Sequence, residues 1–452
     1  MKTEQYRPFT ETHVLALPLP FQGHINPMLQ FSKRLASKGL KVTLLTFIDN
    51  QITKTKNGSV NIEFISSDAN EEDDYFQNLK SIVSVKLPEI VAKISESGFP
   101  VSCLIYDSIM PWALDMAREL GLFGACLFTQ SCAVSNIYYK ANEGKLRTPV
   151  EKVPVSIEGM PLLDLYDLPS FFFDLENYPT SLNLLTNQFL NLGDADWVFF
   201  NTFNGLEDEV INRMTARQFP IKPIGPSIPS MFLDKRIQEN KEYGLNLYKP
   251  NIESCMKWLD SRETFSVIYV SFGSLCIMGE KQMEEIAFGL KRSNHYFLWV
   301  VRESEEEKLP SNFVEETMEK GMIVTWCNQL EVLAHKSIGC FMTHCGWNST
   351  MEALSLGVPM VAMPQWCDQT TNAKFVADVW RTGIRVKVDE EGIVTKEEIE
   401  MCLKEVMEGE IRKNCEKWKK LAKEAMEEDG SSDKNIEEFV AKLMATSHIT
   451  KM

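Results

Sequence analysis

The chain has 452 residues, 44% of them hydrophobic and 24% charged, so it is long enough for two globular domains and too apolar for a disordered protein. The 47 Lys and Arg residues are outnumbered by 63 Asp and Glu, and the net charge of −16 argues against nucleic acid and anionic membranes as partners. An anionic ligand would have to be held by local features such as helix N-termini.

The N-terminal residues predict neither a signal peptide nor a membrane span, because Pro18 and Pro20 interrupt a short apolar stretch. The eleven cysteines include no CxxC pair, a pattern typical of free thiols in a reducing compartment. Cys340 and Cys345 flank His344, but their spacing fits no common zinc module. We therefore expect a cytoplasmic protein without a bound metal.

Short apolar runs alternate with amphipathic stretches along the whole chain, which is typical of parallel α/β architecture. Residues 13–20 predict a buried strand, and residues 26–38 predict a helix that ends at Gly39. Further strands of the first half are predicted at 41–47, 101–107, 124–129 and 197–202. The acidic stretch 70–76 is typical of a solvated loop.

The stretch "KPIGPSIPS" (222–230), with the polar residues that follow it to about 250, indicates a linker near the middle of the chain. The strands predicted after it lie at 267–273, 296–301, 321–326, 339–344 and 359–364. From residue 396 the chain is expected to be helical, with Lys and Glu at helix-pair spacing. The predicted boundaries are a domain at 1–235, a linker at 236–250 and a second domain at 251–431.

Residues 341–354, "FMTHCGWNSTMEAL", predict a strand that passes directly into a helix. Asn348 or Ser349 is a suitable N-cap, and the spacing from Ser349 to Glu352 matches a capping box. The same amides could instead bind a phosphate group, with His344, Asn348 and Ser349 as additional donors. Glu352 would then face a sugar hydroxyl. Local chemistry leaves both interpretations open.

The 44 residues from Trp326 to Gln369 read "WCNQLEVLAHKSIGCFMTHCGWNSTMEALSLGVPMVAMPQWCDQ". This stretch resembles, nearly position for position, the signature box of the plant family-1 UDP-sugar glycosyltransferases. The resemblance extends to "PFQGHINPMLQ", to "LIYDSIMPWALD" (104–115) and to "VSFGS" (270–274). It is strongest to the branch that glucosylates salicylate-like acids, thiohydroximates and steroid or triterpenoid alcohols.

The resemblance implies the GT-B fold, an α/β architecture in which two Rossmann-like domains face a cleft. The first domain would bind the acceptor and the second the UDP-sugar. A final helix, expected at 432–446 within the segment 432–452, would cross back to the first domain. The protein would be a monomer with no partner other than its donor and a small lipophilic acceptor.

The resemblance also implies which residues bind the donor. Around the uridine it places Trp326, Cys327, Gln329 and Glu352, with the indole stacked on uracil and the last two residues on the ribose. Around the diphosphate and the sugar it places Ser274, His344, Asn348, Ser349, Trp347, Asp368 and Gln369. A Gln at the last position of the box goes with glucose donors in this family, so UDP-glucose is the expected co-substrate and no cofactor is expected.

His24, in "FQGHINP", follows the first predicted strand, where a lone histidine is more often structural. The resemblance implies that it is the general base, which takes the proton from a hydroxyl acceptor, and that Asp107 is its anionic partner. Both residues follow predicted parallel strands, where sites of α/β proteins form. Considered alone, Asp107 could instead cap a helix that starts near Pro111.

The implied chemistry is a single inverting displacement, in which UDP leaves and a β-glucoside or a glucose ester forms. Helix N-terminal donors would stabilise the departing diphosphate in place of a metal. Asp194 and Asp196 suggest a manganese site as an alternative, but they precede a strand of the first half, far in sequence from the donor box.

The expected acceptor-binding residues, by resemblance alone, are Phe21, Gln22, Ser131 and Trp366. Relatives of this branch often carry Ser or Thr at the position of Phe21, so the phenyl ring favours an apolar wall and a lipophilic acceptor. The aromatic stretch 168–179 is either a packing loop or part of a pocket mouth.

Two other functional classes fit the sequence less well. An oxidoreductase or epimerase is disfavoured, because no GxGxxG follows the first predicted strand. A catalytically silent UDP-sugar-binding protein is the main alternative, although both His24 and Asp107 are present. The sequence does not specify the acceptor.

Overall fold

The computed structural model describes residues 12–47, 59–65, 75–216, 219–237 and 252–449, and these residues form two compact units. Unit 1 takes the described residues within Met1–Leu146, Pro179–Asn246 and Glu424–Met452. Unit 2 takes those within Arg147–Tyr178 and Leu247–Lys423. The predicted boundaries put 147–178 in the first domain, whereas by its contacts this segment groups with unit 2.

The centre of unit 1 is a parallel sheet with the strand order β3-β2-β1-β4-β5-β6-β7. Its strands are β1 (His13–Leu17), β2 (Lys41–Thr46), β3 (Val60–Phe64), β4 (Val101–Asp107), β5 (Phe123–Phe128), β6 (Trp197–Phe200) and β7 (Ile221–Pro223). Every residue of β1 is buried. Strands covered on both faces read as continuous apolar runs, which is why the central strands of this sheet were predictable.

The helices of unit 1 are α1 (Gln22–Ser37), α2 (Tyr75–Glu96), α3 (Trp112–Glu119), α4 (Cys132–Asn142), α5 (Ser181–Asn187) and α6 (Asn204–Thr215), and α15 (Ser431–Ile449) follows at the end of the chain. Helix α1 begins four residues before the predicted start at 26. The carbonyl of Phe21 accepts from the N–H groups of both His24 and Ile25, so the first turn closes before Pro27 is reached. His24 is therefore presented by the first helical turn.

Unit 2 is built on a second parallel sheet, with the strand order β10-β9-β8-β11-β12-β13. Its strands are β8 (Val267–Ser271), β9 (Tyr296–Val300), β10 (Gly321–Val324), β11 (Ile338–Thr343), β12 (Met360–Ala362) and β13 (Gly383–Arg385). Its helices are α7 (Ile252–Asp260), α8 (Glu280–Ser293), α9 (Phe313–Thr317), α10 (Gln329–Leu333), α11 (Trp347–Leu356), α12 (Gln369–Lys374), α13 (Lys396–Glu408) and α14 (Ile411–Met426). A π-helical turn, Phe375–Val379, follows α12.

Both sheets have the strand order of a Rossmann-like fold, in which the direction of winding reverses beside the first strand. In unit 1 the reversal lies between β1 and β4, and in unit 2 it lies between β8 and β11. The predicted α/β architecture of two Rossmann-like domains is thus confirmed.

Three strands were not predicted, namely β3, β7 and β13. The first two lie at the edges of one sheet and the third at an edge of the other, where fewer side chains are buried and the apolar signal is weaker. The linker interpretation of 222–230 is wrong, since β7 takes its first residues and Ile224 and Ile228 are 1% and 3% exposed. The predicted linker at 236–250 and the acidic loop at 70–76 fall mostly outside the described residues.

The C-terminal helix α15 packs within unit 1. Ser432 donates to the carbonyl of Gly225 at 2.7 Å, and Asn435 donates to that of Pro223 at 2.8 Å. Further along the helix, Phe439 packs edge-on against Phe199, with ring centroids 5.1 Å apart. The helix therefore belongs to the unit that begins the chain. No helix in the described ranges is both long and apolar enough to span a membrane.

A buried charge network fixes the segment after β7 to helix α1. The Asp234 carboxylate binds Arg34 through two hydrogen bonds, at 2.6 and 3.0 Å, and also accepts from Ser230 and Arg236. Arg236 continues to Asp433 at the start of α15. Burial acts to raise the pKa of Asp234, but these donors, Arg34 above all, outweigh it and hold the pKa well below its usual range.

We expect Asp234→Ala to lower the free energy of unfolding by about 3–5 kcal/mol at neutral pH, because it leaves the buried Arg34 without its main partner. A carboxyl whose pKa is depressed by folding stabilises the protein above the pKa of the unfolded state, about 4, and loses that contribution as the pH falls further. The difference in Tm between wild type and variant should therefore be largest near neutral pH and shrink in acid. Thermal melts across a pH series measure it.

The matched control is Asp208→Ala, at an exposed position of α6 in the same unit. A surface substitution of this kind should change stability by no more than about 0.5 kcal/mol. Equal melting temperatures for Asp234→Ala and Asp208→Ala at neutral pH would contradict the prediction.

Candidate active site

The predicted site residues cluster at the carboxyl ends of the central strands in both units. In unit 1, His24 lies in the first turn of α1, the helix that follows β1, and Asp107 is the last residue of β4. In unit 2, Ser274 follows β8 and His344 follows β11 directly. Each set therefore lies where the strand order reverses, the place at which parallel α/β sheets bind ligands.

In unit 1 the structure brings His24 and Asp107 into direct contact. Nδ1 of His24 lies 2.7 Å from Oδ2 of Asp107, whose side chain is fully buried, whereas the imidazole is 25% exposed. Asp107 Oδ1 accepts from the backbone N–H of Ile109 at 3.1 Å. Because an ionised carboxylate only accepts, Nδ1 carries the proton and Nε2 presents a lone pair. This arrangement can remove a proton from a bound group.

The structure shows the partners of two aspartates for which the sequence left another role open. Helix α3 begins at Trp112 with Pro111 as its N-cap and has no side-chain cap, so Asp107 does not cap it. Asp196, one of the two aspartates of the manganese alternative, accepts from Arg118 at 2.7 Å and from the N–H of Gly124 at 2.8 Å. No group of three or more His, Cys, Asp or Glu side chains in the described residues is placed to hold a metal ion.

Sequence reasoning missed Thr129. Its Oγ1 lies 3.0 Å from Nδ1 of His24, and the residue is 8% exposed. Thr129 directly follows β5, which pairs with β4, so it stands at the carboxyl edge beside Asp107. A polar residue directly after the neighbouring strand was the signal that could have identified it.

In unit 2, helix α11 starts earlier than predicted, and the capping-box interpretation is wrong. The helix begins at Trp347 with Gly346 as its N-cap, and no side chain caps it. Ser349 and Glu352 instead face the neighbouring helix α10, where Nε2 of Gln329 donates to Ser349 at 2.8 Å and to Glu352 at 2.7 Å. These groups are thus brought together by tertiary packing.

The same cluster extends to the first strand of unit 2. The hydroxyl of Tyr269 on β8 donates to Oε1 of Gln329 at 3.3 Å and lies 3.4 Å from Sγ of Cys327. Glu352 is 2% exposed. Four expected donor-binding residues are therefore linked in one hydrogen-bonded cluster, namely Cys327, Gln329, Ser349 and Glu352. Trp326 precedes this cluster and is half-buried.

The imidazole of His344 lies against two glycines. A Cβ added at Gly273 would come within 2.8 Å of Nε2, and one added at Gly346 within 2.5 Å. Burial lowers the pKa of His344 to about 4, although a hydrogen bond to the backbone of Ser271 acts in the opposite direction. The ring is therefore neutral at physiological pH. Gly273 also has a φ of +78°, a conformation that favours glycine.

We expect Gly346→Ala to weaken UDP binding by roughly tenfold to a hundredfold, because the new methyl group displaces the imidazole and its hydrogen bonds. The backbone of Gly346, with φ −56° and ψ 144°, accepts alanine without strain, so the steric contact is the cause. Isothermal titration with UDP measures the loss.

Gly279→Ala is the control, since a Cβ there meets no atom within 4 Å. It should bind UDP as wild type does. Wild-type affinity in a folded Gly346→Ala protein would show that the position of His344 does not matter for the nucleotide.

The expected sugar-binding residues lie at the start of α12. Oε1 of Gln369 accepts from the backbone N–H groups of Gln365 and Trp366, at 2.9 and 3.1 Å, so the amide can present only its Nε2 donors to a ligand. Asn372 donates to Asp368 at 2.8 Å and to the carbonyl of Cys345 at 3.0 Å. It thereby joins the two halves of the predicted donor site.

The other predicted donor-binding residues lie in the first turn of α11 and in the turn after β8. Trp347, in the first turn of α11, is 4% exposed and packs against Trp380 with ring centroids 6.0 Å apart. Asn348 and Ser349 follow it in the same turn. The carbonyl of Ser274 accepts from Arg302 at 2.7 Å, which fixes the turn after β8.

The four acceptor-binding predictions are divided between the two units, with Phe21, Gln22 and Ser131 in unit 1 and Trp366 in unit 2. Phe21 and Gln22 start α1, and the Phe21 ring lies 6.5 Å from the His24 ring and 5.7 Å from that of Tyr75. Ser131 is 1% exposed, and its hydroxyl caps α4 by accepting from Val134. Trp366 belongs to unit 2, where it stacks on Tyr178 at 5.8 Å.

The aromatic stretch 168–179 packs with Trp366. Phe171, 3% exposed, contacts the indole edge-on at 6.1 Å, and Tyr178 covers its face. Phe171 is therefore a packing residue of this stretch, and its aromatic partners Tyr178 and Trp366 lie with it in unit 2.

Comparison with solved structures agrees with this fold. Os79 from O. sativa in complex with UDP superposes with a TM-score of 0.88 at 40% identity, covering 95% of this chain and 100% of that one. A complex of the same protein with U2F and trichothecene gives a TM-score of 0.85 at 38% identity, with the same coverage. The fold is thus the GT-B fold of these glycosyltransferases.

Sequence comparison defines the family. The model of the UDP-glucoronosyl and UDP-glucosyl transferases matches residues 23–425. Mogroside I-E synthase from Siraitia grosvenorii is 51% identical over 450 residues, covering 96% of this chain and 99% of the relative. UDP-glucosyltransferase 74AE2 from Panax ginseng is 48% identical over 454 residues, covering 97% and 100%. The chain belongs to this family, as its plant family-1 signature predicted, and is a UDP-glycosyltransferase.

Proposed function

We propose that this enzyme transfers glucose from UDP-glucose, with inversion at the anomeric carbon, to a hydroxyl or carboxyl group of a small lipophilic acceptor. The observation that carries the proposal is the pair formed by His24 and Asp107, with Nδ1 and Oδ2 2.7 Å apart at the switch point of the first sheet. The imidazole is partly exposed and its partner fully buried, as a base that must reach a substrate requires.

The reaction proceeds in one displacement. Nε2 of His24 takes the proton of the acceptor hydroxyl while its oxygen bonds to the anomeric carbon. The bond from that carbon to the diphosphate oxygen breaks, and UDP departs with the electron pair. Asp107 compensates the imidazolium charge that forms, in the way that a buried carboxylate orients a catalytic histidine.

Unit 2 supplies the donor interactions in this proposal. The uracil stacks on Trp326, the ribose hydroxyls bind Gln329 and Glu352, and the sugar binds Trp347, Asp368 and Gln369. The diphosphate is held by Ser274, His344, Asn348 and Ser349, the last two in the first turn of α11. The backbone amides at the start of a helix are suited to stabilising the charge of the departing diphosphate. No metal ion is required in this mechanism.

A lipophilic acceptor is supported from two sides. The Phe21 ring stands next to His24 and forms an apolar neighbour for a bound acceptor. The names of two similar proteins support the same class of acceptor, since one is a mogroside synthase and the structure of the other contains a trichothecene. We further propose a cytoplasmic monomer, in line with the pattern of free cysteines.

The test is a mass-spectrometric screen of purified protein with UDP-glucose and a panel of phenols, aromatic acids, steroids and triterpenoids, in the presence of EDTA. A hexose added to an apolar alcohol is the expected result. Transfer only to small acids would contradict the lipophilic proposal, and activity that requires added divalent metal would contradict the metal-free mechanism. Binding of UDP-glucose without transfer to any panel member would favour a silent UDP-sugar-binding protein.

A further inference from the structure

A segment of the first half of the chain packs against the donor half. Residues 147–178 belong to unit 2 by their contacts, although strands of unit 1 precede and follow them. Within this segment, which we call the excursion, two 3-10 turns, Leu165–Asp167 and Ser170–Phe172, form the part next to α12. The excursion therefore contacts the helix that begins with Gln369.

One residue of the excursion, Ser170, binds both backbone groups of Cys367 in the turn before α12. The N–H of Ser170 donates to the carbonyl of Cys367 at 3.0 Å, and the Ser170 hydroxyl accepts from the N–H of Cys367 at 2.8 Å. Ser170 is 4% exposed, so neither bond is open to competition from bulk water. The conformation of Cys367 is thus determined by a residue almost two hundred positions away.

Cys367 needs such support because its φ is +60°, in the left-handed region that disfavours residues other than glycine. The residue directly precedes Asp368 and Gln369, the two side chains proposed to bind the sugar. A relaxation of Cys367 would turn the following peptide and move both side chains together. The uridine-binding cluster, which rests on β8, α10 and α11, would not move with them.

The other end of α12 is held by Asp167. Its buried carboxylate binds Arg385 at 2.6 Å and Lys374, the last residue of the helix, at 3.1 Å. The hydroxyls of Thr370 and Thr371 donate to the carbonyls of Leu168 and Asp167, at 2.6 and 2.7 Å. The six-residue helix is therefore fixed to the excursion at its start, middle and end.

We propose that Ser170 and Asp167 are positioning residues for the donor sugar: through Cys367 and α12 they fix the orientation of Asp368 and Gln369. This inference rests on the proposed sugar-binding role of those two residues. The excursion, which departs from the acceptor half of the sequence, thereby acts on the recognition of the hexose and not on that of the nucleotide.

The test compares the binding of UDP and of UDP-glucose by isothermal titration, without acceptor, in wild type, Ser170→Ala, Ser170→Thr and Asp167→Asn. We expect Ser170→Ala to weaken UDP-glucose about tenfold relative to UDP, the effect of losing one buried hydrogen bond that holds the turn. Discrimination between UDP-glucose and UDP-galactose should fall with it. Ser170→Thr keeps the hydroxyl and should recover most of the affinity, and Asp167→Asn should act as Ser170→Ala does.

Ser156→Ala, at an exposed position of the excursion, serves as the matched control and should bind both ligands as wild type does. Equal weakening of UDP and UDP-glucose in folded Ser170→Ala and Asp167→Asn proteins would indicate a merely structural role and overturn the inference, and so would unchanged binding of both. A wild-type protein that binds UDP but not UDP-glucose would instead overturn the proposed donor, and the inference would fall with it.

Discussion

His24→Ala is expected to remove nearly all glucosyl transfer to alcohols, with kcat reduced by about 10²–10⁴. The substitution removes the partly exposed imidazole, which can reach a substrate, and leaves Asp107, whose side chain is fully buried. UDP binding should be unchanged, because the proposed donor contacts come from unit 2. Single-turnover rates with a saturating alcohol, together with a UDP titration, measure both expectations.

The same variant should lose less activity towards a carboxylic acid. A carboxylate acceptor is already deprotonated near neutral pH and needs no base, so only the positioning effect of the imidazole is lost. The comparison requires an alcohol and an acid that wild type glucosylates at similar rates. His295→Ala, in unit 2, is the control for the loss of an imidazole as such. Equal losses on the two acceptor types would refute the role of His24 as a general base.

Asp107→Asn should reduce kcat for alcohols by about 10²–10⁴, close to the effect of removing the base itself. One carboxylate oxygen accepts from His24 and the other from the N–H of Ile109. An amide can satisfy only one of these donors. If the amide nitrogen faces the imidazole, Nδ1 must accept its hydrogen bond, so the imidazole proton moves to Nε2. Nε2 can then no longer take a proton from the acceptor. If the amide nitrogen faces Ile109, two buried donors oppose each other and the imidazolium has no counter-charge.

The control for Asp107→Asn is Asp115→Asn, an exposed carboxylate on helix α3 of the same unit. It should leave kcat unchanged. A double variant, His24→Ala with Asp107→Asn, should be scarcely slower than His24→Ala alone, because the two residues act as a unit. Additive losses would show that Asp107 acts independently of His24, and the assignment of its role would be wrong.

Predictions of strands and of the family were correct where they depended on a short, contiguous stretch of residues. Buried parallel strands are covered on both faces, so their apolar runs stand out without knowledge of their neighbours, as in β1, β4, β8 and β11. The edge strands β7 and β13 have three residues each and no such signal. The donor box, a contiguous stretch, likewise identified the family before any geometry was known.

Predictions from local spacing were wrong where a side chain binds a partner on another element of the fold. Ser349 and Glu352 have the spacing of a capping box, yet both bind Gln329 on another helix. Asp107 precedes a helix but binds His24, 83 positions away in the chain. A spacing rule predicts only the hydrogen bonds that a side chain can form within its own helix. It does not predict a competing donor that comes close only when the chain folds.

Short-range periodicity and contiguous residues were thus enough to predict the α/β class, the positions of the central strands along the chain, and the donor box. The contact of Thr129 with His24, the position of His344 against two glycines, and the grouping of 147–178 with unit 2 became known only from the folded structure. Each of these depends on contacts between residues that are distant in the chain. Such contacts form through packing and hydrogen bonds, and they produce no periodic pattern in the sequence from which they could be predicted.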